Sequence, residues 1–172
     1  NTEQIELIQG PMSVIYGSNA LAGSINIISK TAKGSGVSLL SNYESDGRYN
    51  WSGTGYFSKR KSNYSLSIGR MFFDGWSQNK IDRSYEWIPK EQYTGDFTYL
   101  MNLKKTRLTW RTSVLQTRLL DKGSPTAPYG ETAIDQKFKN QRLDNNLSID
   151  RNFKGSRLNI TLGNNYFYRT KN

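Results

Sequence analysis

The chain has 172 residues, of which 35% are hydrophobic, and a formal net charge of +10. It contains neither cysteine nor histidine, which excludes thiolate metal sites and cysteine nucleophiles and removes the commonest metal ligand and general base. No run of about 20 apolar residues occurs, so the sequence also excludes a helical membrane span.

The first distinctive stretch is IELIQGPMSVIYGSNALAGSINIISK, residues 5–30. Its two ends are rich in β-branched residues and predict short strands, and Gly10-Pro11 stops the first of them. Apolar residues recur at helical spacing between Met12 and Tyr16, which predicts one or two helical turns beginning at the proline. We therefore expect a small unit of strand, short helix and strand. By composition alone, this unit fits a βαβ-like corner of an α/β domain as well.

Residues 31–36, TAKGSG, are small and polar and predict a linker. From Val37 onward apolar and polar residues alternate, which predicts antiparallel strands with one apolar and one polar face. Turn residues interrupt the alternation repeatedly, so we expect about seven strands of roughly ten residues each. They begin near residues 37, 49, 64, 93, 108, 143 and 158.

The predicted connections between these strands are of two kinds. Short turns are expected at Asp46-Gly47 and at residues 59–62, 104–106 and 152–156, whereas residues 74–89 and about 120–136 predict long loops. Aromatic residues collect towards the strand ends. The connections after even-numbered strands are short, and those after odd-numbered strands are long in two of three cases. This asymmetry, together with aromatic strand ends, is typical of outer-membrane β-barrels. A soluble β-sandwich also alternates, and it is the alternative on these features alone.

Residues 5–30 resemble the last segment of the plug domain of TonB-dependent outer-membrane receptors. That family carries the pattern I-E-x-x-x-G-P-x-x-x-x-Y-G-x-x-x-x-x-G-x-I-N-I-x-(S/T)-K. Gln9 departs from the family, which usually has Arg or Lys before Gly-Pro. The matching positions are Ile5, Glu6, Gly10, Pro11, Tyr16, Gly17, Gly23, Ile25, Asn26, Ile27 and Lys30.

The resemblance implies an all-β membrane protein with a small α/β plug piece and antiparallel transmembrane barrel strands. Residues 1–33 would be the C-terminal part of the plug, and residues 34–172 would be the first strands of the barrel. Because such a barrel has about 22 strands, we expect this chain to be a fragment of it. No charged and then apolar leader precedes the plug-like stretch, which for an exported protein is expected when the N-terminus is missing.

In functional terms the resemblance implies a receptor in the outer membrane of a Gram-negative bacterium, surrounded by outer-membrane lipid. It would import a scarce extracellular ligand, with energy from TonB and its partners ExbB and ExbD in the inner membrane. A ferric siderophore or a similar chelate is the expected ligand. The alternative is a structural or adhesin-like outer-membrane barrel without transport activity.

Two groups of candidate site residues follow. The plug motif comprises Glu6, Gly10, Pro11, Tyr16, Gly17, Gly23 and Asn26. Aromatic residues of the predicted long loops are candidates for stacking on a ligand, although anchoring at the membrane interface also explains them. These are Trp76, Tyr85, Trp87 and Tyr129.

No convergent pattern of carboxylates points to catalysis, so we expect no enzymatic activity, no cofactor and no resident metal. The net positive charge is also a property of nucleic-acid-binding proteins, but the basic residues here are spread through turns and strand ends. A nucleic-acid-binding protein would concentrate them on one face, so we expect no nucleic-acid partner.

Overall fold

The computed structural model describes residues 2–9, 23–29, 34–79, 83–127, 130 and 132–172. The chain divides into two compact units, Asn1–Lys33 and Gly34–Asn172. The first contains β1 (Thr2–Gln9) and β2 (Gly23–Ser29). The second contains β3 (Gly36–Glu44), β4 (Arg48–Lys59), β5 (Ser62–Phe73), β6 (Lys90–Leu103), β7 (Thr106–Lys122), β8 (Asp135–Phe153) and β9 (Ser156–Lys171).

The first unit is an antiparallel pair of strands. β1 and β2 pair so that Ile5 lies opposite Ile27 and Glu6 lies opposite Asn26. Both predicted strands are therefore present. Their antiparallel pairing excludes the βαβ-like corner, because the two strands of a βαβ unit are parallel. The helical turns predicted between Pro11 and Tyr16 lie outside the described residues.

The second unit is an antiparallel sheet in the order β3-β4-β5-β6-β7-β8-β9, so each strand pairs with its neighbours in sequence. The seven predicted strands are confirmed. The predicted hairpin at Asp46-Gly47 is also present, with Gly47 at a φ of +88° and its N–H donating to the carbonyl of Glu44 at 3.1 Å. In the β4–β5 turn the left-handed residue is not a glycine but Arg60, at a φ of 52°.

The expected strand length of roughly ten residues is wrong for the last four strands. β6 to β9 have 14, 17, 19 and 16 residues. β7 continues to Lys122 and β8 already begins at Asp135, so the loop predicted at about 120–136 is shorter than expected. In these extensions polar residues occur on both faces, and the alternation that marks a strand disappears. The backbone ladder nevertheless continues as far as the pairing of Lys122 with Asp135.

The cross-strand register gives the sheet two different faces. One complete row across the seven strands runs Leu39, Gly53, Ile68, Gly95, Val114, Leu143 and Tyr166. We call the side with this row the apolar face and the opposite side the polar face. The apolar rows predicted for all seven strands fall on this one side. Polar residues interrupt this face in the rows on either side of Val114 and Leu143. In one of these rows the hydroxyl of Thr112 donates to Oδ1 of Asn145 at 2.7 Å, and in the other Gln116 lies opposite Gln141.

The sheet has almost no buried core of its own. Among the described residues, those that are buried are Leu100 and Thr117. Side chains of the apolar face lie open to the surroundings, and Leu39, for example, is 81% exposed. Because a soluble protein rarely exposes a continuous apolar surface of this extent, the apolar face needs another partner than water.

Aromatic side chains form two groups on the apolar face, at opposite ends of the strands. At one end the rings of Tyr43 and Tyr49 lie 4.8 Å apart, and Phe72 follows at 6.0 Å from Tyr49. At the other end the rings of Tyr64 and Tyr99 lie 4.9 Å apart. Tyr49 and Phe57 mark the two ends on β4, and eight residue steps along the strand separate them by about 27 Å. The predicted collection of aromatics towards the strand ends is present.

Candidate functional site

The polar face is a surface of short, mutually bonded polar side chains. Ser113 on β7 donates to Asp96 on β6 at 2.6 Å. On β9, Asn159 and Arg157 both donate to Asp150 on β8, at 2.7 and 3.0 Å. Hydrogen bonds of this kind hold the polar groups in place without excluding water from the surface. They are easily replaced by hydrogen bonds to water or to another polar surface.

A hollow of about 470 Å³ opens on the polar face across β7, β8 and β9. It offers one cation, Arg142, whose Nε contacts Asp144 at 2.7 Å. Oδ1 of Asn140 is buried there without a hydrogen-bond partner, so the hollow has an acceptor to offer to a donor group. Its lining residues are Leu115, Thr117, Asn140, Arg142, Asn165 and Phe167.

The two long connections, β5–β6 and β7–β8, meet at the same end of the sheet. Arg83 in the first connection bonds to the carboxylate of Asp135 at 2.8 Å and to the carbonyl of Gly123 at 3.3 Å. Ser124 donates to the hydroxyl of Ser84 at 3.3 Å. The two loops therefore form one surface rather than two independent ones.

Three of the four loop aromatics that are candidates for stacking on a ligand belong to the β5–β6 connection, which forms one side of this joined surface. Trp76 and Trp87 form a β-bridge, with backbone N–H to carbonyl distances of 2.9 and 3.0 Å. Their side chains are 44% and 60% exposed. Tyr85 lies under the ammonium of Lys122 at 5.5 Å from its ring centroid. Tyr129 lies outside the described residues.

The plug motif is described only in part. Glu6 and Asn26 lie opposite each other on β1 and β2, and Gly23 is the first residue of β2, opposite Gln9. The amide of Gln4 donates to the carboxylate of Glu6 at 3.1 Å. The remaining motif residues, Gly10, Pro11, Tyr16 and Gly17, lie outside the described part of the chain.

Sequence reasoning missed Arg83 and Lys122 as members of the loop surface. Their partners are far away in sequence, and neither residue belongs to a recognisable motif. The available signal was topological, because one long loop ends at β6 and the other begins at the neighbouring strand β7, at the same end of the sheet.

Among the described residues, no group of acidic side chains is arranged to hold a metal ion. In the same part of the chain, no helix has the length and apolar character needed to cross a membrane.

The chain is 27% identical, over an alignment of 177 residues, to the vitamin B12 transporter BtuB of Vibrio vulnificus (strain CMCP6). The name of this relative describes a transporter. The alignment covers 93% of this chain and 25% of the relative, so the chain spans about a quarter of the length of the curated relative that it matches. At that coverage the alignment includes residues of both compact units. No family model matches the chain, and no solved structure matches it.

Proposed function

We propose that the chain is part of a TonB-dependent outer-membrane receptor that imports a small extracellular ligand. The observation that carries this proposal is the exposed apolar face of a seven-stranded antiparallel sheet, set against an opposite face of hydrogen-bonded polar side chains. A membrane-spanning β-barrel needs this combination, because its outer side contacts lipid and its inner side contacts water.

The two aromatic groups support the same proposal. On a strand tilted by about 40°, their separation along β4 corresponds to a height of about 21 Å, which is close to the apolar band of about 25 Å of outer-membrane barrels. The two long connections then belong to the extracellular side, together with the short Asp46-Gly47 turn at the same end of the sheet. The short turns β4–β5, β6–β7 and β8–β9 belong to the periplasmic side. In this orientation, the joined loop surface of Arg83, Trp76 and Trp87 faces the medium from which a ligand arrives.

The distant similarity to a vitamin B12 transporter supports the receptor family, together with the plug-like residues 5–30. We assign residues 1–33 to the plug and residues 34–172 to the first strands of a barrel of about 22 strands. TonB, with ExbB and ExbD, is the proposed source of energy.

The ligand proposed from the sequence is a ferric siderophore or a similar chelate. The relative's name adds a second chelate class, the cobalt-containing corrinoids. Exposed tryptophans on the loop surface suit either class, because both present flat or apolar surfaces on which an indole ring can pack.

The test is ligand uptake by cells that carry the full-length gene, with and without functional TonB, using ferric siderophores and corrinoids as probes. We expect uptake of at least one class that disappears without TonB. Uptake that persists without TonB would indicate a passive pore. Absence of uptake in both strains, with the protein present in the outer-membrane fraction, would favour the structural or adhesin-like barrel.

A further inference from the structure

A group of cations projects from the apolar face beyond its last apolar row, at the end with the long loops. They are Arg118 and Lys122 on β7 and Lys137 and Lys139 on β8, and we call them the basic patch. The register places Arg118 directly opposite Lys139. Side chains of such a cross-strand pair start about 5 Å apart, and like charges in this position repel each other.

The neighbouring carboxylates do not neutralise this charge. Arg118 is 57% exposed, and its closest carboxylate contact is Glu91 at 3.8 Å. Glu91 is already bonded by Arg70 at 2.7 Å and by the hydroxyl of Tyr93 at 2.7 Å. Asp135, the other nearby acid, is bonded by Arg83 at 2.8 Å.

The positive charges of the two lysines on β8 are likewise not neutralised by carboxylates. Within the described part of the chain, neither Lys137 nor Lys139 forms a salt bridge, and both are exposed. The patch therefore carries surplus positive charge that an anion would stabilise.

The position of the patch relative to the apolar face indicates the kind of anion. The pair of Arg118 and Lys139 is four residues along the strands from the apolar pair of Val114 and Leu143, which is a distance of about 13 Å. Tyr168 lies between these levels, in the row of Gln141. An anionic group joined directly to apolar chains would contact the cations and the apolar face at the same time.

We propose that the basic patch binds the phosphate groups of a lipid in the outer leaflet of the membrane. This inference rests on the proposed location of the sheet in the outer membrane. The planar guanidinium of Arg118 forms paired hydrogen bonds to a phosphate, and the lysines add mobile point charges. The acyl chains of the same lipid lie along Val114 and Leu143. A free phosphate or a nucleic acid would use the charges but leave the adjoining apolar face without a partner.

The experiment uses the full-length protein, purified in detergent, and lipid A as the probe, with bound lipid measured by native mass spectrometry. The variant is Arg118→Gln/Lys137→Gln/Lys139→Gln. The control is Lys59→Gln/Lys104→Gln/Lys154→Gln, which removes the same charge from exposed positions at the short-turn end. We expect about a fivefold loss of affinity for each cation near a membrane surface, or about a hundredfold loss for the triple variant.

A triple variant that retains lipid A like the wild type, or a control with an equal loss, would overturn the proposal. So would dephosphorylated lipid A that binds as tightly as lipid A. Binding of inorganic pyrophosphate to the patch without binding of lipid A would overturn the lipid as its ligand. Heat-modifiable migration and TonB-dependent uptake of each variant are measured in parallel. Uptake by a wild-type protein that does not bind lipid A leaves the proposed function standing while this inference fails.

Discussion

The guanidinium of Arg83 and the carboxylate of Asp135 lie 2.8 Å apart, although 52 residues separate them in the sequence. This contact ties the β5–β6 loop to the first residue of β8. Together with the bond from Arg83 to the carbonyl of Gly123, it holds the β5–β6 loop, which carries the exposed tryptophans, against the β7–β8 connection. The pair is partly exposed, with 42% and 31% of the side-chain surfaces accessible, so its role is to order the loops rather than to stabilise the whole sheet.

Arg83→Gln is therefore expected to change the free energy of unfolding by less than about 1 kcal/mol. Cleavage of the β5–β6 loop by chymotrypsin, which cuts after its aromatic residues, should become several-fold faster because the loop loses its anchor. Arg157→Gln removes a comparable exposed pair with Asp150 elsewhere in the sheet and should leave the cleavage rate unchanged. Equal cleavage of the wild type and Arg83→Gln would contradict this role for the contact.

Trp87→Ala is expected to weaken ligand capture about tenfold, which corresponds to about 1.4 kcal/mol of lost stacking and packing. The backbone conformation of the loop should not change, because backbone atoms form the bridge between Trp76 and Trp87. The measurement is the ligand concentration at half-maximal uptake, normalised to the amount of receptor in the membrane.

Trp51→Ala is the control for this experiment, since Trp51 is 44% exposed but lies on the apolar face. This control should lower the amount of folded receptor without changing the half-maximal concentration. If Trp87→Ala and Trp51→Ala affected that concentration equally, Trp87 would not be a ligand contact.

The two faces of β7 can be compared with an arginine introduced at neighbouring positions. Val114→Arg places the charge on the apolar face and should cost about 2–4 kcal/mol in lipid. Ser113→Arg places it on the polar face beside Asp96, to which Ser113 is bonded at 2.6 Å, and should cost less than about 1 kcal/mol. Urea unfolding of the full-length protein in lipid vesicles measures both. Equal costs would mean that the apolar face does not contact lipid.

Much of the sheet could be predicted from the sequence, because period two assigns a side to every residue once a strand is recognised. Leu39, Ile68 and Val114 fall in one cross-strand row, and each belongs to a predicted apolar row. The glycine of the Asp46-Gly47 turn was equally informative, since its left-handed backbone favours this residue. In these places local preference and the long-range pairing agree.

The prediction failed where the structure depends on partners that are distant in sequence. Between Asp135 and Gln141, the extension of β8 lacks the alternation of apolar and polar residues that would predict a strand. Pairing with β7 makes this segment part of the strand. The left-handed Arg60 is imposed by a two-residue turn rather than by its own preference. The contact of Arg83 with Asp135 follows from the side-by-side position of two loops, which no local pattern encodes.

The neighbour-to-neighbour pairing of β3 to β9 has a consequence for how the protein is made. Every hydrogen-bonded partner in this sheet is supplied by the strand just before or just after it in the chain. A growing edge can thus be extended by one hairpin at a time, with each new hairpin using the previous strand as its template. The loop-closure cost of each step is limited to one connection. A sheet assembled in this way also tolerates changes in the length of its loops during evolution, since an insertion between two strands leaves every other pairing in register.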